Sequence, residues 1–226
     1  MRTLIVNADD FGLSEGVNEG VVRGHVHGIV TSASLMVWQP AATTAAAAAR
    51  RHPRLSLGLH VDLAEWELDG GEWRLRYGRV DIDDAAAVAG EVDRQLERFR
   101  RLTGRAPTHL DSHQHLHRSP PLGGVLGDRA ARLGVPLRGP GEPRYCGAFW
   151  GQASDGSPDH LAITPSALAG LIRELPDGAT ELCCHPAASV GAEWAYGEQR
   201  LAELASLCSL QVREAVRASG VRLLGF

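Results

Sequence analysis

The chain alternates from one end to the other between short apolar runs and segments with the apolar spacing of a helix. Residues 4–8, 32–37 and 55–59 are the clearest apolar runs. Their nearly continuous apolar character is typical of strands that are buried on both faces of a parallel sheet. The intervening residues repeat apolar side chains every three or four positions, as helices packed on a sheet do. No linker interrupts this alternation, so it predicts a single α/β domain over residues 1–226.

The number of strands narrows the fold further. Four more runs have strand character, at 107–111, 135–137, 180–184 and 221–224, which makes about seven strands in all. This number of strands in a chain of 226 residues favours a (β/α) barrel-like fold with mostly parallel strands, either complete or incomplete and distorted. An open doubly wound sheet is the alternative. Its dinucleotide-binding version is disfavoured because no Gly-x-Gly-x-x-Gly turn follows the first run.

The alternation breaks between residues 62 and 82. Gly70-Gly71 separates two short segments there, and Trp66 and Trp73 lie close by in the sequence. Paired short segments around glycines are typical of a hairpin. We therefore expect a small hairpin or lid inserted into the domain around 62–82. The Gly- and Pro-rich stretch 138–159 indicates no regular element.

Charge and composition exclude several classes of function. The net charge is −4 and no basic block stands out, so neither nucleic acid nor a membrane surface is an expected partner. All 23 basic residues are arginines, which excludes Schiff-base lysines and lysine-dependent phosphate loops. No apolar run is long enough to span a membrane and no signal-peptide pattern opens the chain, so we expect a cytoplasmic protein. Cys146, Cys183, Cys184 and Cys208 lack Cys-x-x-Cys spacing, so neither a zinc knuckle nor a disulfide scaffold is expected.

One short segment carries the most unusual pattern in the chain. Four of the ten histidines alternate there with an aspartate, in the order His109, Asp111, His113, His115 and His117. Alternate residues of an extended strand point to the same side, so all five side chains would face one way if the whole segment were extended. His115 and His117 follow the predicted strand, so whether they face the site stays open. Imidazoles gathered on one face require water, a metal ion or hydrogen-bond partners. A surface cluster without function is the alternative interpretation.

Other residues of the same chemistry follow the ends of predicted strands. Asp9 and Asp10 come just after the first strand, and His60 comes just after the third. His113 ends the fourth strand, and His185 follows the penultimate one. The carboxyl ends of parallel strands share one edge of the sheet, where the active sites of α/β folds form. The sequence therefore predicts that these five side chains converge on one site.

The residue types favour a site for one divalent metal ion. Two imidazoles and one carboxylate, with positions left for water, form a common open catalytic site. A metal ion held in this way lowers the pKa of bound water toward about 7 and polarises a carbonyl group. A neighbouring carboxylate then serves as general base, and a further histidine protonates the leaving group.

Structural roles are the alternatives for each of these residues. Asp9 and Asp10 also suit a turn that caps the following helix. His60 also suits a core position with satisfied hydrogen bonds. His185 precedes Pro186 and therefore also suits a structural turn.

Five segments, in a fixed order, carry a resemblance to a known family. They are LIVNADDFGLS at 4–14, GLH at 58–60, HLDSHQHLH at 109–117, ELCCHP at 181–186 and GVRLLGF at 220–226. Together they resemble the motifs of the YdjC-like carbohydrate deacetylases, the ChbG and HpnK group, over nearly the whole chain. The resemblance implies a (β/α) barrel-like fold and metal-dependent removal of an acetyl group from an N-acetylated carbohydrate, such as a chitooligosaccharide or another glycan.

The resemblance also implies roles for individual residues. His60 and His113 match the metal-binding histidines of the family, and Asp10 matches its carboxylate ligand. Asp9 matches the general base, by analogy with the related polysaccharide deacetylases, and in such a reaction we expect His185 to protonate the departing amine. The implied cofactor is one divalent ion, Mg²⁺ or Zn²⁺. The implied partners are a small N-acetylated carbohydrate and a second copy of the chain in a homodimer.

Further residues are expected to orient the metal ligands or to line the rim of the site: His109, Asp111, His115, Arg138, Asp159 and His160. His109 and Asp111 are the candidates for orienting the ligands. The segments 61–66 and 138–160 depart from the family pattern, and substrate contacts are expected in both.

Two other functions stay open on the sequence alone. One is a metal-dependent hydrolase of a different amide or ester, such as an acylated lipid-linked sugar. The other is a non-catalytic sugar-binding protein, although such a protein needs neither a base nor an acid. Trp66, Trp73 or Trp150 either offers a stacking face to a sugar ring or belongs to the core.

Overall fold

A parallel sheet with flanking helices forms the protein, in a computed structural model that describes residues 1–69, 71–139, 141–153, 156–191 and 196–226. In chain order the elements are β1 (Arg2–Phe11), α1 (Glu15–His27), β2 (Ser32–Leu35), α2 (Ala42–Arg51), β3 (Ser56–Val61), β4 (Ala64–Asp69), β5 (Glu72–Gly78), α3 (Ala85–Thr103), β6 (Leu110–Ser112), a 3₁₀ turn (His113–Arg118), α4 (Leu122–Leu133), β7 (Arg144–Cys146), α5 (Pro165–Arg173), β8 (Gly178–Cys184), α6 (Gly197–Leu207), α7 (Leu210–Ala218) and β9 (Arg222–Leu223). Among the described helices, none combines the length and the apolarity needed to cross a membrane.

The strands of the main sheet are all parallel. Six of them lie side by side in the order β6–β3–β2–β1–β8–β7, and β9 pairs with β1. β9 lies beside the beginning of β1 and β2 lies beside its end, so both occupy the same flank of that strand. The sheet curls into a half-barrel. This confirms the incomplete barrel-like α/β fold expected from the sequence.

The central strand β1 is covered on both faces. Leu4, Val6 and Ala8 have no exposed surface, and the alternate residues Ile5 and Asn7 are at most 7 % exposed. Burial of both faces is the property that the apolar runs indicated. It leaves the carboxyl end of the strand as the place where polar side chains can meet a ligand.

Helix boundaries follow local capping chemistry. Ser14 begins α1 by accepting a hydrogen bond from the Val17 amide at 3.2 Å. Asp84 begins α3 by accepting from the amide of Ala86 at 2.9 Å. Gly104 ends α3 in the left-handed region, with a φ of 74°. Serine and aspartate before a helix and glycine after it are residue types that favour such boundaries.

Two parts of the sheet differ from the sequence prediction. Residues 135–137 form a single bridge, between Leu137 and Leu110, instead of the expected strand. Pro136 has no N–H to donate and therefore cannot extend the ladder. β7 lies in the Gly- and Pro-rich stretch where the pattern indicates no strand. It has three residues and pairs with β8 alone. A strand of three residues is too short to show a recognisable alternation of apolar and polar side chains.

β4 and β5 form a separate antiparallel hairpin within residues 62–82. Asp62, at the base of this hairpin, is fully buried. Its carboxylate accepts hydrogen bonds from Arg79, Tyr77 and Gln39 at 2.6, 2.8 and 2.9 Å. A buried carboxylate with these partners is satisfied, so the hairpin is fixed to the barrel at its base.

Candidate metal and catalytic centre

A bulge in β1 brings two carboxylates to the same edge of the sheet. The register between β1 and β2 shifts between Ala8 and Phe11, and Asp10 has a φ of 62°, in the left-handed region. Neighbouring residues of a regular strand point to opposite faces, whereas a bulge re-aims one of them. Asp9 and Asp10 therefore both border the cavity at this edge, and each is only 2 % exposed.

Asp10, His60 and His113 lie together, as the sequence predicts for the ligands of a metal ion. Asp10 Oδ1 is 3.4 Å from His60 Nε2 and 3.1 Å from His113 Nδ1. One donor atom from each residue lies within 4.8 Å of the others. The other ring nitrogen of His60, Nδ1, bonds Asp111 Oδ1 at 2.8 Å, so Nε2 is the nitrogen that faces Asp10. The three residues form a candidate metal-binding group.

The electrostatic environment of this group favours a positive charge. Burial by itself lowers the pKa of His60, but the carboxylates of Asp111, Asp9 and Asp10 raise it well above the ordinary value. Burial by itself raises the pKa of Asp10, but Arg200, His113 and His60 together outweigh it and hold that pKa well below the ordinary value. Carboxylates that stay ionised around an imidazole also suit a divalent cation.

Arg138 holds Asp9 with two of its nitrogens. These N–H groups donate to Asp9 Oδ2 and Oδ1 at 2.6 and 2.7 Å, and the same guanidinium bonds Asp111 at 2.9 Å and Glu181 at 2.8 Å. Burial raises the pKa of Asp9, but the guanidinium outweighs it and holds the pKa well below the ordinary value. Asp9 is therefore ionised and fixed in orientation, as a proton acceptor must be. Arg138 is buried beside Asp9 and does not border the cavity as a rim residue.

His185 faces Asp9 across a short gap. Its Nε2 lies 4.0 Å from Asp9 Oδ2, and its ring meets Trp150 edge-on with the ring centroids 4.6 Å apart. Glu203 accepts hydrogen bonds from the His185 backbone N–H and from the Tyr196 hydroxyl. Burial lowers the pKa of His185 to about 4. The imidazole is therefore neutral at neutral pH and is a strong acid once it is protonated.

Two charged residues of α6 belong to the site and were missed in the sequence. Arg200 donates to Asp10 Oδ2 at 2.6 Å. Glu203 is fully buried, and burial raises its pKa to about 7. Both share a helix face with Leu204 and Leu207, at spacings of three and four residues. The signal that could have found them is the presence of charged residues on an otherwise apolar helix face.

His109 and Asp111 support the site from within the sheet. His109 is fully buried, and its Nε2 lies 3.0 Å from the Ser34 hydroxyl. Ser34 gives its one proton to Asp111 Oδ2 at 2.7 Å, so His109 must donate from Nε2. Asp111 in turn holds His60. Ser34 and Asn7, which bonds Asp9 at 2.8 Å, were also missed, and their only signal was a polar residue inside an apolar run.

The alternation of the histidines ends where β6 ends. Gln114 and His115 have φ values of 49° and 54°, in the left-handed region, so strand geometry stops at Ser112. His115 bonds the Tyr145 hydroxyl at 3.0 Å and borders the cavity. His117 is buried and bonds the Ser112 hydroxyl at 2.7 Å. The segment is extended only as far as Ser112, so the five alternating side chains do not share one face.

Asp159 and His160 are not brought into the site. Asp159 Oδ1 accepts from the backbone N–H groups of Leu161 and Ala162, both at 3.2 Å, which caps a local turn. His160 is exposed, and neither residue borders the cavity. This pair therefore has a local structural role in place of the expected position at the rim.

A cavity of about 1350 Å³ opens over the site. The five residues predicted at strand ends all border it. Its walls are rich in aromatic rings: Trp150 stacks on Tyr196 with centroids 4.1 Å apart, and the hairpin contributes Trp66, Trp73 and Tyr77. Aromatic walls with a few polar groups are typical of a site for a small ligand.

The hairpin is also linked to the segment that carries His113. The Gln114 side chain accepts a hydrogen bond from the Trp66 amide at 2.9 Å and donates to the Trp66 carbonyl at 2.7 Å. This reciprocal pair joins one wall of the cavity to the residue next to a candidate metal ligand. The position of the hairpin and the position of His113 are therefore coupled.

Comparison with known proteins identifies the family. Residues 3–218 match the model of the family described as YdjC-like protein. The chain belongs to this family. It is similar to a carbohydrate deacetylase of Geobacillus stearothermophilus, with 34 % identity over 247 aligned positions that cover 100 % of this chain and 97 % of the relative. It is also similar to a chitooligosaccharide deacetylase of Enterobacter sp. (strain 638), with 33 % identity over 256 positions that cover 100 % and 98 % of the two chains.

A solved structure resembles this YdjC-like protein over its full length. It is the crystal structure of a suggested cellobiose-phosphate cleavage protein from Enterococcus faecalis V583. The TM-score is 0.80 at 25 % identity, with 99 % of this chain and 97 % of the other covered. The agreement supports the barrel-like α/β fold.

Proposed function

We propose that this YdjC-like protein is a metal-dependent hydrolase that removes an acetyl group from an N-acetylated carbohydrate. The observation that carries the proposal is the meeting of Asp10, His60 and His113 beside Asp9 and His185 in one cavity. The full-length relatives named as a carbohydrate deacetylase and a chitooligosaccharide deacetylase support the same class of reaction.

The three donor residues fit one divalent ion. Nε2 of His60 and Nδ1 of His113 both face Asp10 Oδ1, at 3.4 and 3.1 Å, and these three atoms are the donors that an ion between the residues would use. Two imidazoles and a carboxylate suit Zn²⁺, whereas Mg²⁺ prefers oxygen ligands. We therefore propose Zn²⁺, held by Asp10, His60 and His113. When bound, the ion lowers the pKa of a water molecule and polarises the acetyl carbonyl.

Asp9 is the general base in this proposal, and His185 is the general acid. Arg138 keeps the Asp9 carboxylate ionised, so its Oδ2 accepts a proton from the attacking water. The proton that Asp9 accepts passes to the neutral imidazole of His185 at Nε2, 4.0 Å from that oxygen, and His185 delivers it to the amine nitrogen as the amide C–N bond breaks. Its low pKa favours this release. The oxygen of water ends on the acetyl carbon, and the products are acetate and the free amino sugar.

The aromatic walls of the cavity support a carbohydrate as the substrate. Trp150 lies against the proposed proton donor and is held in place by its stacking on Tyr196. Trp66 and Trp73 of the hairpin border the same cavity. Aromatic rings provide flat apolar surface next to polar groups, which matches the mixed character of a sugar ring.

Release of acetate from N-acetylglucosamine oligomers tests the proposal. We expect turnover by the zinc-loaded protein, loss of turnover with a chelator, and recovery when zinc is returned. His113→Ala is expected to abolish turnover, whereas His160→Ala, which changes an exposed histidine outside the cavity, retains it. Turnover that survives both the chelator and His113→Ala contradicts the metal mechanism. A panel of other acylated amides and esters tests the alternative substrates.

A further inference from the structure

Cys183 is a buried thiol in the cavity wall that the proposed reaction does not use. Its Sγ donates to Asp9 Oδ2 at 3.3 Å and lies 4.0 Å from His185 Nε2. The next residue, Cys184, does not border the cavity, and its thiol donates to the backbone carbonyl of Asn7. Of these two adjacent thiols, Cys183 is therefore the one that meets a carboxylate and an imidazole.

The three donor atoms have separations close to those of a metal site. Cys183 Sγ is 3.3 Å from Asp9 Oδ2, and His185 Nε2 is 4.0 Å from each of these two atoms. A tetrahedral zinc ion, with bonds of about 2.0–2.3 Å, holds such atoms about 3.4–3.6 Å apart. Side-chain movements of about half an ångström bridge the difference. A thiol together with an imidazole favours a soft ion over a hard ion such as Mg²⁺.

A cation at this place would lie beside a cluster of carboxylates that Arg138 already contacts. Arg138 faces three carboxylates, those of Asp9, Asp111 and Glu181. Another grouping of possible ligands, Asp9 with His60 and Asp111, is already filled by the Arg138 guanidinium and by the hydrogen bond between its own members. In the thiol-containing group the Arg138 guanidinium contacts Asp9, 2.6 Å from Oδ2, so an ion bound there shares that oxygen with the guanidinium.

We propose that Asp9, Cys183 and His185 form a second metal site, the thiol site, which binds Zn²⁺ or Cd²⁺ supplied in excess of the catalytic ion and blocks the reaction. The thiol proton leaves to solvent as Sγ binds the ion, and no electrons are exchanged. The bound ion occupies both the oxygen that accepts a proton and the nitrogen that delivers one. Binding stands on the geometry alone, whereas inhibition rests on the proposed deacetylase function.

Cadmium binding tests the site directly, because a thiolate bound to Cd²⁺ has an ultraviolet charge-transfer band. We expect Cd²⁺ to produce this band in the wild-type protein, in Cys184→Ser and in His113→Ala, and to lose most of it in Cys183→Ser. Cys146 and Cys208 are present in all of these proteins, so their contributions cancel. Bands of equal strength in Cys183→Ser and Cys184→Ser would overturn the proposal.

Excess zinc tests the inhibition. Further Zn²⁺ is added to the zinc-loaded protein while acetate release is followed. Loss of one ligand in Cys183→Ser is expected to raise the zinc concentration for half-inhibition at least about tenfold, with Cys184→Ser unchanged. Cys183→Ala is a second variant, and circular dichroism checks that each protein is folded.

An unchanged half-inhibition concentration in both Cys183 variants contradicts the blocking role of the thiol site. A cadmium band that depends on Cys183, without acetate release by any of the proteins, rejects the deacetylase function and supports the thiol site. The two proposals therefore fail in different ways.

Discussion

Replacing Arg138 with methionine tests whether one buried guanidinium holds the carboxylates of the site. Arg138 is 2 % exposed and contacts Asp9, Asp111 and Glu181 at distances of 2.6, 2.9 and 2.7 Å. Its removal leaves buried carboxylates without a counter-charge, which costs about 3–5 kcal/mol. Methionine retains a flexible unbranched side chain, so the loss of packing is small.

Thermal melting in the presence of a chelator measures this cost. For a chain of this size each kcal/mol lowers Tm by about 2–4 °C, so we expect a decrease of about 6–20 °C. Arg129→Met is the matched control. Arg129 makes two hydrogen bonds of 2.8 Å to Asp93, but that carboxylate is 57 % exposed. Such a surface pair contributes about 0–1 kcal/mol, so the control is expected to melt near the wild type.

The cost of losing Arg138 also has a predicted pH dependence. The folded pKa of Asp9 is lowered in the wild type, so its stabilising contribution is present above the unfolded pKa and is lost as pH falls. Without the guanidinium, burial dominates and raises the pKa of the carboxylates, so the variant loses stability as pH rises. The stability difference between the wild type and the Arg138 variant is therefore expected to be larger at about pH 8 than at about pH 5. Equal losses in the Arg138 and Arg129 variants, or a larger difference at the lower pH, would refute this reasoning.

Three further predictions concern the hairpin, the packing behind the site and pH. Gln114→Ala removes the two hydrogen bonds to the Trp66 backbone. Each bond on this exposed side chain contributes about 0.5 kcal/mol, so KM is expected to rise about fivefold. An unchanged KM in steady-state kinetics contradicts the role of the hairpin in substrate binding. A Cβ added at Gly58 would lie 2.4 Å from the His109 ring, so Gly58→Ala is expected to lower the free energy of unfolding in urea by about 1–3 kcal/mol. Gly170→Ala in α5 is the control, because its added Cβ meets nothing within 4 Å, and it is expected to raise the free energy of unfolding by up to about 1 kcal/mol. Burial raises the pKa of Glu203 from 4.5 to about 7, so ionisation of this group removes up to roughly 3 kcal/mol of stability as pH rises through that range. Glu203→Gln is therefore expected to flatten the pH profile of the unfolding free energy, and a profile parallel to that of the wild type contradicts the assignment.

The positions of the central site residues follow from the sequence for a clear physical reason. Strands buried on both faces appear as apolar runs, and the residues just after them lie at one edge of a parallel sheet. His185 directly follows β8, whereas Asp9 and His60 lie inside the last residues of β1 and β3, which run further than the apolar runs indicate, and all three border the same cavity. Side-chain chemistry at such an edge can therefore be predicted without knowing the loops.

The supporting residues depend on contacts that no local pattern contains. Arg200 reaches Asp10 across 190 positions of the chain, and Arg138 reaches Asp9 across 129. Arginines are usually exposed, and the only local signal for either of these two is the place of Arg200 on an apolar helix face. Strand alternation also misleads after β6, because Gln114 adopts a left-handed conformation while its side chain bonds the hairpin.

The location of the metal ion tests the central claim most directly. Diffraction at the zinc absorption edge, from crystals of the protein loaded with one equivalent of Zn²⁺, locates the ion independently of activity. We predict one strong anomalous peak about 2.0–2.2 Å from donor atoms of Asp10, His60 and His113. A first ion bound at the thiol site instead, or no ordered ion at either place, would contradict it.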